Sequence, residues 1–508
     1  MTEVSAQTVG ELLQIGEDND VALAAPGRPP LSYAGLRRQV DRTAVALSAL
    51  GINRNDRVAI VLPNGPEMAS AFLCVAAAAT TTPLNPAYRE SEFEFYLFDL
   101  EVKVLMVEHG SSSPAVAVAR AQGLRIVEIK WADDDPVGSF TFTDRLEDGT
   151  VSSSNASPAD AALVLHTSGT TTRPKIVSLS QLNLAASAQN IVRTLDLSSS
   201  DRCLSIMPLF HIHGLMAAVL ASIAAGASVF CCPAFSALRF FSWLDEAKPT
   251  WYTAVPTMHQ TILARAGRNR ECIENAHLRL IRSSSASLPP QVMKALEEAF
   301  DAPVIESYGM TEAAHQMASN PLPPKPRKAG SVGLAAGPDV EVMDATGQLL
   351  TSGEIGEVVI RGTNVFESYE NNPDATSTAF TNGWFRTGDQ GVKDSEGYLS
   401  ITGRQKELIN RGGEKISPLE VDEAIMDHPD VAQVVTFALP HDTLGEDVAA
   451  AVVLNDGATV EAQEIREFVS DRLAAFKVPR QIIILDEIPK GATGKLQRIG
   501  LAEKLGLV

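Results

Sequence analysis

The residues of this chain best suited to chemistry lie in the run Leu165–Ser178, LHTSGTTTRPKIVS. An apolar strand leads into closely spaced hydroxyls around one glycine, then an arginine, a proline and Lys175. Small residues let backbone N–H groups face a phosphate, and hydroxyls and an ammonium add donors. A nucleoside triphosphate needs a dense donor surface of this kind. The kinase-type loop G-x-x-x-x-G-K-[ST] does not fit, because Pro174 precedes Lys175 and Ile176 follows it. The segment also reads as a Ser/Thr-rich turn between strand and helix, without a ligand. Ser307–Glu312, SYGMTE, adds an aromatic for stacking on a base, a hydroxyl for a phosphate and a carboxylate for Mg²⁺ at the end of a strand. Trp384–Asp389, WFRTGD, ends in an acid on a turn, suited to a ribose diol. Either of these two, taken alone, also reads as a hairpin corner or a satisfied surface acid.

The elements that must position these groups alternate. Apolar runs at 58–62, 103–107, 125–129, 161–165, 203–207, 251–255, 278–282 and 303–307 read as strands, and stretches such as 67–79, 179–195 and 289–300 as helices. That pattern predicts βαβ units and mainly parallel sheets covered by helices. The spacing shows no short fixed period, which argues against a solenoid. After about Pro321 the texture changes. PLPPKPRKAG reads as a surface connector, and the segments VEVMDATGQLL, GEIGEVVIRG, GWFRTGDQG and GYLSITGR as hairpins of a small barrel or distorted sheet. A final mixed unit has helices over 418–428 and 464–473 and strands over 431–439, 448–454 and 481–488. The expected boundary lies near Gly403–Lys406, giving domains 1–404 and 405–508.

The 508 residues carry a formal charge of −20, with 45% hydrophobic and 20% charged residues. This is an ordinary globular balance, and its sign argues against nucleic acid or an anionic membrane as the main partner. Five cysteines without CxxC spacing suit a reducing compartment and argue against a disulfide framework or structural zinc. The acidic N-terminal stretch does not read as a signal peptide, nor EKLGLV as a peroxisomal address, so the expected location is cytoplasmic. The uncharged run Leu215–Cys232 is long enough to raise a membrane helix. Gly226 should stop a helix after LMAAVLASIAA, and SVFCC reads as a buried strand, so no membrane span is expected.

Five segments in order, TSGTTTRPK, YGMTE, WFRTGD, GRQKELINRGGEKISP and PKGATGKLQR, together resemble the adenylate-forming enzymes, which include acyl-CoA synthetases, nonribosomal adenylation domains and beetle luciferases. The likeness extends from PLNPAYRESEFEFYL to Lys495. Within that superfamily the chain looks most similar to oxalate–CoA ligases, through LHTSGTT-RPK, PLFH-HGL, TWYTAVPT-HQ, IRS-SASL and ELINRGGEKISP. The resemblance implies an α/β fold. A large N-terminal domain would hold helix-covered, mainly parallel sheets and a small β-rich subdomain, followed by a small mobile α+β domain. It also implies ATP, Mg²⁺ and coenzyme A, an acyl-AMP intermediate and release of AMP and pyrophosphate. Oligomeric state, monomer or homodimer, stays open.

Roles carry over by position. Lys495 matches the adenylation lysine, flanked by Gly491 and Gly494 on a loop expected to move. Thr167, Ser168, Gly169, Thr170, Thr171 and Lys175 match the β- and γ-phosphate loop. Tyr308 matches the adenine-stacking aromatic, Thr311 the α-phosphate contact, Glu312 the Mg²⁺ carboxylate, Asp389 the ribose acceptor and Arg404 a ribose or phosphate contact. Ser285, Ala286, Ser287, Glu306 and Ser307 join the nucleotide set. Lys406 holds the hinge position, and Gly412, Gly413 and Lys415 the loop facing the pantetheine tunnel. Thr172 and Ile176 depart from the common glycine-rich pattern, which puts the loop's mobility in question while the donor set stays intact.

For the acid, His211, Arg282, Ser284, Ser285 and His315 are the candidates, with His211 also counted among the catalytic residues; His213 could add a donor, and each of these histidines also reads as a satisfied structural one. Ser284–Ser285 stand where many relatives have consecutive glycines, filling acyl-tail space and presenting hydroxyls. A second buried carboxylate needs donors. A very small diacid is therefore expected, oxalate first. Malonate, short-chain or aryl acids, and acyl loading onto a carrier-protein thiol, remain alternatives.

Overall fold

The computed structural model describes residues 6–143, 156–167, 174–490 and 496–508, and the counts below refer to these. One sheet has eight strands, in the order Tyr369–Glu370, Ile176–Ser180, Ala161–His166, Thr80–Pro83, Arg57–Val61, Val104–Glu108, Arg125–Lys130 and Thr141–Phe142. Its inner pairings are parallel and its outer ones antiparallel. A second sheet of nine strands runs Leu334–Ala335, His315–Ser319, Val304–Met310, Leu280–Ser283, Trp251–Ala254, Arg202–Ser205, Ser228–Cys231, Val21–Ala24 and Leu31–Ser32. It too is parallel inside and antiparallel at its ends.

The inner strands read VAIV and VLMV because both faces are covered. Helix Pro66–Ala78 touches strands of both sheets, so Pro66 through Ala76 are all buried and the helix is apolar all round. Helix Gln181–Leu195 likewise reaches both sheets. It starts two residues later than the sequence suggests. Leu179 pairs with Leu163 in the strand, and Ser180 closes a reciprocal cap with Asn183. Thr80–Pro83 is a central strand that hydropathy missed: its threonines are buried, and the Thr80 hydroxyl donates to the Ala161 carbonyl at 2.8 Å.

The uncharged run forms a π-helical stretch, His213–Leu220, a turn of α-helix, Ala221–Ala224, a left-handed Gly226 at φ +68° and the buried strand Ser228–Cys231. Among the described residues no helix is long and apolar enough to cross a membrane. The β-rich region is a five-stranded antiparallel sheet over 339–404, bent by register shifts. A last five-stranded sheet over 409–484 carries helices Pro418–Met426 and Ala462–Ser470 around its own core of Ile409, Ile425, Val448 and Ile465. Its strand Gln481–Ile484 ends earlier than expected, close to where its neighbour Gly445–Leu454 runs out.

Candidate active site

Open α/β sheets hold ligands at the carboxyl ends of their parallel strands, and the motif residues follow such strands in both sheets. Strand Ala161–His166 runs into Thr167. The Thr167 N–H donates to the Lys175 carbonyl at 2.8 Å, and the Lys175 N–H to the Thr167 hydroxyl at 3.2 Å, closing the neck of the hydroxyl-rich loop. Ser168, Gly169, Thr170 and Thr171 lie outside the described residues, as does Lys495. Behind the neck, His166 is held by the Asp99 carboxylate at 2.8 Å. The motif itself does not signal this anchor, since Asp99 lies on a separate helix, Glu90–Asp99.

Lys175 projects over the ring of Tyr369, its ammonium 4.1 Å from the centroid. The Tyr369 hydroxyl donates to Glu312 at 2.9 Å. Glu312 is 8% exposed, and burial raises its carboxyl above the usual range; its own backbone N–H, Tyr369, Arg404 and Lys175 pull the other way. Burial lowers the Lys175 ammonium, Glu312 raises it and Lys406 lowers it, so the expected hinge lysine lies within electrostatic reach of this pair. Thr311 opens the short turn Thr311–Ala313 that carries Glu312.

Tyr308 donates to the Asp389 carboxylate, and Arg404 Nε donates to the same carboxylate at 2.7 Å. Asp389 and Arg404 face each other across paired strands. Burial, then the Asp389 charge, push the Tyr308 phenol well above its usual value, while Asp389 first of all raises Arg404. Gly309 follows Tyr308 at a register shift. A Cβ there would stand 1.8 Å from the His315 carbonyl oxygen, so only glycine permits this approach. Ser307 donates to the Ser283 carbonyl at 3.3 Å. Glu306 is 2% exposed and accepts from the Leu288 N–H at 2.9 Å, which anchors the loop carrying Ser285, Ala286 and Ser287. Ala286 and Ser287 are exposed.

Two of the residues expected at the acid pocket are fully buried. Ser284 is fully buried and donates to the Ser307 carbonyl at 3.0 Å, so its proton is not offered to the cleft. Arg282 is also fully buried, with Gln316 Oε1 and His315 Nε2 each 3.2 Å from its guanidinium. His213, weighed from sequence as a further donor or a structural histidine, meets Thr253, Ser285 and Arg282. Its Nε2 is 2.6 Å from the Thr253 hydroxyl, its Nδ1 is 3.0 Å from the Ser285 hydroxyl, and its ring stacks on His315 at 5.0 Å. Thr253 was seen only as a strand residue. Alternation on Trp251–Ala254 could have hinted at its side, but not at its partner. His211 is half-buried against Phe210, with centroids 4.5 Å apart.

On the last sheet, Ile409–Arg411 and Glu414–Ile416 form a hairpin whose two-residue turn, Gly412–Gly413, has φ +61° and +99°. A tight turn with two positive φ values is the glycine-demanding kind. Lys415 beside it is exposed.

Residues 16–370 match the AMP-binding enzyme family, and residues 420–495 the AMP-binding enzyme C-terminal domain. The chain belongs to the AMP-binding enzyme family. It is 46% identical to an oxalate–CoA ligase of Arabidopsis thaliana over 94% of each chain. An oxalate–CoA ligase of Saccharomyces cerevisiae is 41% identical, over 89% of this chain and 87% of that one. Among solved structures, ATP-bound MatB from Rhodopseudomonas palustris superposes with a TM-score of 0.89 at 30% identity, covering 98% of each chain. Apo MatB from the same source gives 0.78.

Proposed function

We infer that the chain is an ATP-dependent acid–CoA ligase that converts oxalate to oxalyl-CoA with release of AMP and pyrophosphate. Family membership and full-length similarity to CoA ligases support the reaction type. The observation that carries the choice of acid is a cluster of polar side chains. Ser285, His213 and His315 gather beside a buried guanidinium, where a fatty acid would need an apolar tunnel.

In the first half-reaction a carboxylate oxygen of oxalate attacks the α-phosphorus of ATP and the bond to pyrophosphate breaks. In the second, the CoA thiolate attacks the acyl carbon and AMP leaves. Two anions must meet in the first step, so donors have to offset both. Lys495 serves as the mobile cation between carboxylate and α-phosphate, and Thr311 contacts that phosphate. Thr167 to Thr171 and Lys175 hold the β- and γ-phosphates. Tyr308 stacks on adenine, with Glu306, Ser307 and Ser285–Ser287 around the nucleotide. Asp389, steered by Arg404, accepts from the ribose hydroxyls. Glu312, a buried carboxylate raised by desolvation, suits a cation partner, and would hold Mg²⁺, which offsets triphosphate charge when bound. His211, Ser285 and His315 face the acid.

The unit 405–508 turns about Lys406 between the two steps and brings Gly412, Gly413 and Lys415 toward the pantetheine arm. The acidic charge and five free cysteines support a reducing, cytoplasmic setting without nucleic acid as partner. Incubation with oxalate, ATP and Mg²⁺ should release AMP and pyrophosphate. Formation of ADP, or failure of oxalate where another acid works, would sink this reading.

A further inference from the structure

We propose that Arg282, Thr253 and His213 form a buried, polarised relay that fixes the Ser285 hydroxyl as a proton donor toward the far carboxylate of the acid. Thr253 and Arg282 are then specificity-determining positioning residues that never touch substrate. The proposal rests on the dianionic-acid reading above.

Arg282 is 0% exposed, and the side chains that its guanidinium meets among the described residues carry no carboxylate. A guanidinium only donates. It meets Gln316 Oε1 at 3.2 Å, His315 Nε2 at 3.2 Å, Thr253 Oγ1 at 3.4 Å and His213 Nε2 at 3.5 Å. Its Nη1 carries two hydrogens, so of the three atoms that this nitrogen meets the two nearer ones, His315 Nε2 and Thr253 Oγ1, are the acceptors, and His213 Nε2 lies beside them. The consequences run in one direction. Thr253 accepts from Arg282, and the guanidinium 3.5 Å from His213 Nε2 disfavours a proton on that nitrogen, so the Thr253 proton goes to His213 Nε2 at 2.6 Å. His213 then carries its proton on Nδ1 and donates to Ser285 Oγ at 3.0 Å. Ser285 has accepted, and its hydroxyl proton is free to turn to an anion. His315, also an acceptor at Nε2, keeps its proton on Nδ1. Burial lowers Arg282 to about 9, which leaves it charged at neutral pH.

Backbone geometry points the same way. Ser285 at φ +77° and His315 at φ +100° are non-glycine residues in the left-handed region. Such strain persists where surrounding contacts over-determine it, and it gathers at binding sites. The result is a buried positive charge behind a wall of neutral groups, of which Ser285 is the partly exposed one. A second carboxylate gains from that wall, and the apolar tail of a monoacid does not.

Thr253→Val removes the relay hydroxyl at nearly constant shape, and Thr253→Ser restores it. Pyrophosphate release should show KM for oxalate raised at least about tenfold in Thr253→Val. KM for ATP should stay within about twofold, because the relay touches no nucleotide residue except Ser285. Thr253→Ser should recover oxalate KM. Arg282→Met should lower oxalate use relative to propionate, and Arg282→Lys should restore part of it. In wild-type protein labelled with ¹⁵N-histidine, the His213 Nε2 resonance should lie in the unprotonated range. An oxalate-active wild type whose Thr253→Val variant keeps its oxalate KM, or a protonated His213 Nε2, overturns the relay alone. A wild type that turns over only monoacids overturns the relay and the oxalate reading together.

Discussion

Asp389 takes two donors, Tyr308 and Arg404, and so sets the orientation of both sides of the expected ribose site. Asp389→Asn keeps the shape and removes the charge facing Arg404. Charged hydrogen bonds are worth about 1.5–3 kcal/mol, so KM for ATP should rise roughly 10- to 100-fold in initial-rate measurements. Lys495→Ala should slow adenylation by about 10²–10³, the loss typical of one preorganised donor at a developing charge. Thioester formation from supplied acyl-AMP should be nearly spared, and equal losses in both partial reactions would contradict the assignment. Glu306 makes a different prediction. Burial pushes its carboxyl up to about 8, against the pull of the Leu288 N–H. The native state thus binds this proton more tightly than the unfolded chain does. The stabilisation is complete below the unfolded value near 4.5 and is lost as pH rises through about 8. Glu306→Gln is neutral throughout, so its Tm should fall less than that of wild type between about pH 5 and pH 8. A Tm difference independent of pH would remove the buried-proton account.

At the scale of elements, the strand Val304–Met310 and the turn after it set the cleft. The turn is held from behind by Asn364, which donates to the carbonyls of Ala313 at 2.8 Å and Gln316 at 3.1 Å, and by Ser187, which donates to the Ala314 carbonyl at 2.5 Å. Gly309 lets that strand pass the His315 carbonyl. Gly309→Ala must force the two apart, with an overpacking cost of about 1–3 kcal/mol that a chemical denaturation curve would register. Activity should fall as well, because Tyr308 and His315 flank the displaced contact. The Gly412–Gly413 hairpin belongs to a separate sheet. Alanine at both positions would place side chains at positive φ, costing about 1–2 kcal/mol per residue. The thioester step should slow while adenylation persists, measured as separate partial reactions.

The whole molecule is two sheets with helices between and around them, an antiparallel sheet, and a last unit with its own core. That last unit meets the rest through few polar contacts, such as Gln260 Nε2 to the Ala432 carbonyl at 3.3 Å and Ser417 to the Thr402 carbonyl. Contacts of this kind are readily exchanged, which suits a unit that swings. Proline at Lys406 would lock one backbone torsion at the proposed hinge. Lys406→Pro should retain pyrophosphate release while oxalyl-CoA formation collapses, seen by following both products in one assay. Loss of both together would place the pivot elsewhere.

The sequence by itself determined the fold class, most strands of the two sheets, and the segments that carry the candidate site. Apolar runs in parallel strands and hydroxyl-rich turns are local properties, written within a few consecutive residues. It did not reveal Thr80–Pro83, whose threonines lie at the centre of a sheet only because neighbours cover them. Nor did it show that Ser284 and Arg282 are fully buried, with the Ser284 proton given to the Ser307 carbonyl. Thr253, Arg282 and His213 sit on three elements whose pairing register, Thr253 opposite Arg282, brings them together. Only tertiary structure decided that meeting, because the direction of each proton in the network depends on which partner the other strand and helix supply.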